Sequence, residues 1–331
     1  MTTAALDAGT LEQLVTAAVA APSLHNTQPW RFRLDPATTT IEVRAAGDRA
    51  LPHTDPAGRA LHLSAGAAVF NLRVAVAHFG WEPVVRLLPR PAEPGLLAAV
   101  RLAGRHPATG EGTGPAPDEA DLYDAVWRRH SSRFPFDPTT VPDLVREEIT
   151  AAATAEGALL VFTGPSETAR ILQLTAEAER LAAADSGRSA ESRAWVRDGT
   201  ADGIPAVALG PRDAAGRLPV RDFTTGRAAH VQAPAPFEQR PALAVLGTQH
   251  DRPADWLRAG QGLEHALLTA TAHGVRASLF SQAVEWPEVH WALRDPRGGT
   301  AHVQMLVRFG YGPEGPATPR RSVRDVLDAG P

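Results

Sequence analysis

The 331-residue chain contains no cysteine. That removes disulfides, thiolate metal sites, iron–sulfur clusters and cysteine nucleophiles. A reducing cytosol suits such a composition and a cytoplasmic location is expected, although zero cysteines fits any compartment. Lysine is equally absent, and all 33 basic residues are arginine. GC-rich coding suffices to explain this, but the chemistry follows regardless. Schiff-base catalysis, lysine-anchored pyridoxal phosphate and the lysine of a P-loop are excluded. No uninterrupted apolar run reaches about 18 residues, so no membrane span is expected. The first residues lack the basic n-region and long apolar h-region of a secretory signal. A formal charge of -4 argues against a nucleic-acid or polyanion binder. Twelve histidines include no His-Glu-x-x-His and no close pair on one helix face, so no metal site is expected. Without a Gly-x-Ser-x-Gly elbow, hydrolase chemistry has no support. Gly260-Gln261-Gly262 begins like a dinucleotide fingerprint, but it lacks the third glycine and lies in a helical pattern; it reads as core packing.

What is present describes an ordinary folded protein. Apolar residues make up 44% and charged residues 21%, and the length holds one large domain or two small ones with a substantial core. Two segments match at a constant offset. Leu63-Ser64-Ala65-Gly66 through Gly80, and Leu257-Arg258-Ala259-Gly260 through Gly274, each repeat apolar residues at i, i+3 and i+4. Each reads as a small-residue buried helix closed by a glycine at the C′ position. Strand-like segments follow each: Val84–Leu88 and Ala98–Ala103 in the first case, Val275–Phe280 and Val303–Phe309 in the second. Two alanine-rich helices can match by chance, but the shared helix, strand, strand order favours an internal repeat. The expected division is residues 1–118 and 119–331, with Arg105–Asp118 as a connector. Asp185–Pro241, rich in glycine and proline, is expected to be irregular, either a lid or a disordered insert; the lid is favoured because so long an insert is usually functional.

Two polar segments stand out. Ala21-Pro22-Ser23-Leu24-His25-Asn26-Thr27-Gln28-Pro29-Trp30 sits between a helix-like run and a strand-like one, with amide and hydroxyl groups suited to the edge of a flat polar ring. Trp127-Arg128-Arg129-His130-Ser131-Ser132-Arg133-Phe134-Pro135-Phe136 concentrates three arginines, a histidine and two hydroxyls between aromatics. It reads as an anion site or as a solvated basic helix end. Partly desolvated arginine–phosphate hydrogen bonds are worth about 1.5–3 kcal/mol each. His25 would reach a ligand or hold its own loop.

The first of these segments resembles the Ser-x-x-Asn-x-Gln-Pro-Trp loop of FMN-dependent nitroreductases, in the form typical of the Acg-type subfamily. The second is similar to that family's Arg-His-Ser-x-basic motif, and Thr318-Pro319-Arg320-Arg321-Ser322 to its C-terminal basic pair, although a charged tail would look the same. Thr248 through Gln261 also matches the subfamily, so the resemblance covers nearly the whole chain. It implies an α+β, nitroreductase-like fold of two fused related halves, each a sheet flanked by helices, plus the lid-like insert. In ordinary nitroreductases FMN lies at a homodimer interface, one subunit giving each motif. Here the first half has the loop without the Arg-His-Ser segment, and the second has that segment but runs Thr150–Ala158 straight into a strand. The resemblance therefore implies a pseudo-dimer with one FMN site, while further oligomerisation stays open.

Carried over, Arg129 and Ser131 would face the phosphate and ribityl end and Arg133 the flavin N1–O2 edge, with His130 a further cofactor contact. Ser23, Asn26, Gln28, Arg320 and Arg321 would be further contacts. Many nitroreductases place a Glu-Gly pair near flavin N5, where this chain has Ala277-Ser278-Leu279-Phe280-Ser281-Gln282. Ser278 and Ser281 are the candidate substitutes there, and the identity of the group at N5 stays open. The expected activity is NAD(P)H-dependent reduction of a nitro-aromatic, a quinone or a similar small-molecule acceptor through flavin hydride transfer, with no side chain required as acid or base. A flavin-sequestering stress protein with a lid-covered flavin is the alternative, and oxidation of a specialised metabolite or peptide uses the same fold.

Overall fold

The architecture follows from two long helices crossing between two sheets. The computed structural model describes residues 6–105, 119–223, 232–294 and 301–328. The expected connector therefore lies, apart from Arg105, outside the described residues. In the first half, helix α1 (Ala8–Val19) precedes strands β1 (Trp30–Asp35) and β2 (Thr40–Ala45), helix α2 (Arg59–His78), and strands β3 (Trp81–Leu87) and β4 (Leu96–Arg105). The chain continues with α3 (Tyr123–Arg128), α4 (Asp143–Ala155), β5 (Leu159–Phe162), α5 (Pro165–Ala184) and α6 (Ser186–Ala194). A small parallel pair, β6 (Arg212–Asp213) with β7 (Pro234–Ala235), leads to β8 (Ala242–Thr248), α7 (Pro253–Ala272) and β9 (Arg276–Phe280). Helix α8 (Pro287–Ala292), β10 (His302–Gly310) and α9 (Val323–Val326) complete the chain.

The two four-stranded sheets share one topology. The first runs β1-β2-β4-β3 and the second β5-β8-β10-β9, antiparallel throughout. In each, a helix precedes the first strand and a 20-residue helix separates the second strand from the third. Strand β10 is buried along nearly its whole length, as expected of a strand covered on both faces. Met305, Val307 and Phe309 join the core under α7, while Leu306 packs with Phe280 and Ile171 on the opposite face.

Both long helices start where their sequence dictates. The Asp55 carboxylate accepts hydrogen bonds from the backbone N–H of Ala60 (3.0 Å) and Leu61 (2.8 Å), satisfying donors that the first turn leaves free. Pro253 occupies the opening position of α7, where a missing N–H costs nothing. Helix α2 is apolar and long enough to cross a membrane, but it is the packed centre of the protein. It crosses α7 at Gly66 and Gly260, and the cores interlock there: Leu63 of α2 belongs to the second core and Leu257 of α7 to the first. The halves interlock at their ends too, since Leu122, Ala125 and Val126 pack in the first core, as does Val326 of α9.

The insert is less irregular than expected, since it carries the short β6–β7 pair and a helix. Asp185, its first residue, caps a regular helix, α6, accepting from the Arg188 N–H at 2.9 Å. Gly187 suits that helix because a Cβ there would meet the His53 ring at 2.6 Å.

Candidate functional site

The loop after α1 holds three non-glycine residues at positive φ within four positions: His25 (52°), Asn26 (54°) and Gln28 (51°). Such conformations cost on the order of 1–2 kcal/mol each and persist only where surrounding contacts impose them. The contacts come from far along the chain. Ser23 Oγ accepts from the Gln28 N–H at 2.9 Å. Asn26 Nδ2 donates to the carbonyls of Gly203 (2.8 Å) and Pro319 (2.9 Å), and its Oδ1 accepts from Arg320 at 3.1 Å. Gln28 donates to the Ala201 carbonyl at 3.0 Å and accepts from the Arg321 N–H at 2.8 Å. The insert and the C-terminal arm thus staple the loop. Arg49 adds a third staple, donating to the Thr27 carbonyl and pairing with Asp202 of the insert.

Against this loop the Arg-His-Ser segment leaves the end of α3. Ser132 donates its backbone N–H to the Ala277 carbonyl at 2.8 Å, which stitches the segment beside β9 and next to Ser278. Arg129 and Arg320 converge on the end of α1, where free carbonyls favour cations. Arg129 donates to Ala20 at 3.1 Å, and Arg320 to Ala20 at 3.0 Å and Ala21 at 3.2 Å. Beneath them lies Glu264, fully buried; its Oε1 comes within 3.2 Å of Arg129 Nε without hydrogen-bond alignment.

Between these elements opens a cleft lined from both halves. The first half supplies Ser23, His25, Asn26, Arg59 and Ser64; the second supplies Arg129, His130, Ser131, Arg133, Ser278 and Ser281, and the C-terminal arm Thr318 and Arg320. Its apolar wall includes Leu63, Leu263, Leu279 and Met305. The insert closes one side with Ile204, Val220, Arg221 and Phe223.

Burial shifts the charges in this cleft. Arg133 is lowered to about 10 by desolvation, aided by the nearby charge of Arg221. Arg320 falls to about 9 through desolvation and the charge of Arg129. Both stay cationic at neutral pH, and among the described residues neither pairs with a carboxylate. Arg133 instead donates to the Ala208 carbonyl (3.1 Å) and lies over the Phe223 ring. Glu264 is raised to about 7, chiefly by desolvation. Desolvation, with Arg221 and Arg133 nearby, pushes His25 well below the ordinary imidazole range, so its ring is neutral. The half-buried His130 is lowered in the same way, with Arg129 next in effect.

Two expected site residues fall elsewhere. Gln28 is fully buried and both ends of its amide are consumed by the insert and the arm. Arg321 turns outward and donates to the Asp325 carbonyl at 2.5 Å. Neither lines the cleft, and their role is to hold the loop. Four residues that do line it, or lie directly beneath it, went unread in the sequence: Arg59, Arg221, Phe223 and Glu264. A lone glutamate on the apolar face of α7 was the one available signal; the insert residues offered none.

No family model matches the chain. A relative named "Putative NAD(P)H nitroreductase Rv3131" from Mycobacterium tuberculosis is 33% identical over 332 residues, covering 97% of this chain and 92% of the relative. "Putative NAD(P)H nitroreductase acg" from the same organism is 29% identical over 328 residues, covering 96% and 95%. The chain belongs to the NAD(P)H nitroreductase family. Among solved structures, the FMN-dependent nitroreductase NfnB from Mycobacterium smegmatis in complex with NADPH aligns with 65% of this chain and 100% of its own, at 13% identity and a TM-score of 0.40, a superposition that fixes no residue equivalence.

Proposed function

We propose that the protein is an NAD(P)H-dependent FMN oxidoreductase that reduces a nitro-aromatic, a quinone or a similar small acceptor, with one FMN held between two halves that act as a fused pseudo-dimer. The observation that carries this reading is a pair of half-buried, strongly desolvated guanidiniums, Arg133 and Arg320, which among the described residues have no carboxylate partner, in a cleft with an apolar wall. Neutral carbonyls satisfy their N–H groups but do not balance their charge, and a desolvated cation is stabilised further by an anion. A flat isoalloxazine with a phosphate tail matches both requirements. Arg129 and Arg320, with Ser131, would hold the phosphate and ribityl end, and Arg133 the electron-rich ring edge. Ser278 and Ser281 are the candidates for the opposite edge, and Ser23 and Asn26 shape the loop against it. When bound, FMN supplies hydride transfer, and the protein supplies position and charge. Fixed cations favour the reduced, more negative cofactor without reorganising during the reaction. A cytoplasmic location, where reduced nicotinamides are available, fits this reading.

One observation favours a second reading, in which the protein sequesters flavin. Arg221 of the insert pairs with Glu285 at 2.5 Å and lies 4.0 Å from Glu179, drawing the insert across the cleft. A closed lid would keep substrates from the flavin. The purified protein should be yellow and release about one FMN per chain on heating, as a single enclosed site requires. Steady-state NADPH oxidation with nitrofurazone or menadione then separates the readings: turnover supports the oxidoreductase, and bound FMN without turnover supports sequestration. Colourless protein that takes up no FMN would refute both.

A further inference from the structure

We propose that His25 donates a hydrogen bond from Nδ1 to an oxygen of the electron acceptor, and that Arg221 on the insert is the positioning residue that sets the required tautomer. This rests on the oxidoreductase reading and narrows the acceptor to one that presents a terminal oxygen, such as a quinone carbonyl or a nitro group.

Arg221 Nη1 lies 3.1 Å from His25 Nε2. A guanidinium has only N–H groups to offer, so the ring nitrogen facing it must be the acceptor. The single proton of the neutral ring therefore resides on Nδ1. That atom is buried and has no partner among the described residues, although His25 lines the cleft. An unpaired buried donor costs about 1–3 kcal/mol, so its persistence in a cleft wall points to a ligand that completes it. The ring is fixed from two sides. Phe223 packs edge-on with its centroid 5.4 Å away at 74°, and the backbone at His25 is held at positive φ by the stapled loop. Arg221 is held in turn by Glu285 Oε1 at 2.5 Å, Ser281 Oγ at 3.4 Å and Glu179 at 4.0 Å. Glu285, Arg221 and His25 thus form a buried line from the second half, through the insert, to the first-half loop.

The same three elements account for the chemistry. A neutral N–H among guanidiniums strengthens its bond as negative charge gathers on the acceptor oxygen during reduction. No proton leaves His25; the proton found on the product comes from solvent. An outer-sphere electron acceptor such as ferricyanide gains nothing from this donor.

Two measurements on the flavin-loaded protein test the proposal. Imidazole ¹⁵N NMR should show His25 protonated on Nδ1 and bare on Nε2 between about pH 6 and 8. Arg221→Gln should lose that preference and Arg221→Lys recover it. Menadione added to the oxidised protein should shift the Nδ1–H resonance. The opposite tautomer, or a His25 signal indifferent to saturating menadione, overturns the proposal. In steady state, His25→Phe should lower kcat/KM for menadione about 10- to 100-fold more than it lowers ferricyanide reduction, with His25→Gln recovering part of the difference. Equal losses with both acceptors overturn it. If the unmodified protein reduces neither acceptor, the oxidoreductase reading fails, and the NMR response to menadione still decides the hydrogen bond.

Discussion

Gly66 and Gly260 meet back to back where α2 crosses α7, and each lies against the carbonyl of the other helix's matching leucine. A Cβ on Gly66 would sit 2.2 Å from the Leu257 carbonyl oxygen, and one on Gly260 would sit 2.0 Å from that of Leu63. The contact is reciprocal in the sense expected of a two-fold interface, where one residue meets its counterpart and the counterpart returns the contact. Because the obstructing atoms are backbone, neither can swing aside. Gly260→Ala should therefore cost about 3 kcal/mol, in the range of overpacked cores, and lower the melting temperature by several degrees. Gly66→Ala should do the same, and the double variant should cost less than both together, since one separation of the helices serves both. Thermal unfolding of the three variants measures this; additive or negligible losses would contradict the crossing described.

Glu264 gives a pH dependence of defined sign. Its folded pKa is raised to about 7, so between the ordinary glutamate range and 7 the folded protein holds a proton that the unfolded chain releases. Its contribution to stability is complete at low pH, declines as pH rises through this window, and is lost above about 7. The decline is on the order of 3 kcal/mol for a fully buried carboxyl. Glu264→Gln should flatten the unfolding free energy across the window, as denaturant titration at several pH values would reveal. A slope unaltered by the substitution would assign it to other groups.

Loss of the cationic groups should be read out in flavin content. Arg129→Ala combined with Arg133→Ala would remove the two charge-assisted contacts proposed for FMN, each worth about 1.5–3 kcal/mol. FMN affinity should fall on the order of a hundredfold or more, leaving a soluble, colourless protein. Full flavin content in that variant would remove both residues from the site.

Gln28 is expected to affect stability through its staples. Gln28→Leu leaves the Ala201 carbonyl and the Arg321 N–H without their partner in a buried setting, at a cost of about 2–4 kcal/mol. Limited proteolysis should then cut the insert near Asp202 or the arm near Arg320 faster than in the unmodified protein. Equal cleavage rates would show that these segments are held by other contacts, such as the Arg49–Asp202 pair.

The sequence made the contiguous features legible. The two long helices, the strands after them, the strained loop and the Arg-His-Ser segment each express a pattern carried by neighbouring residues: a 3.6-residue period, a terminal glycine, or a cluster of one chemistry. The cleft's polar residues Ser23, His25 and Asn26 of the loop and Arg129, His130, Ser131 and Arg133 of the segment are legible on that basis. The α6 helix is not legible in the sequence because glycine and serine in its first turn mask it, while the Asp185 cap that supports it is a single side chain.

What the chain alone determined is therefore an inventory: which groups can donate or accept, and which helices must be buried. Tertiary structure decided how that inventory is spent. Gln28 and Arg320 are equally plausible ligands by type, and both are engaged by backbone carbonyls or N–H groups, yet packing buries the first behind the loop and leaves the second in the cleft wall with its charge unpaired among the described residues. Arg221 and Phe223, from a turn-rich stretch without periodicity, arrive beside His25 only because the insert folds back over the seam. Hydrogen-bonding capacity is a local property of a side chain, whereas the partner that claims it is set by contacts hundreds of residues apart in sequence, and no local pattern encodes those.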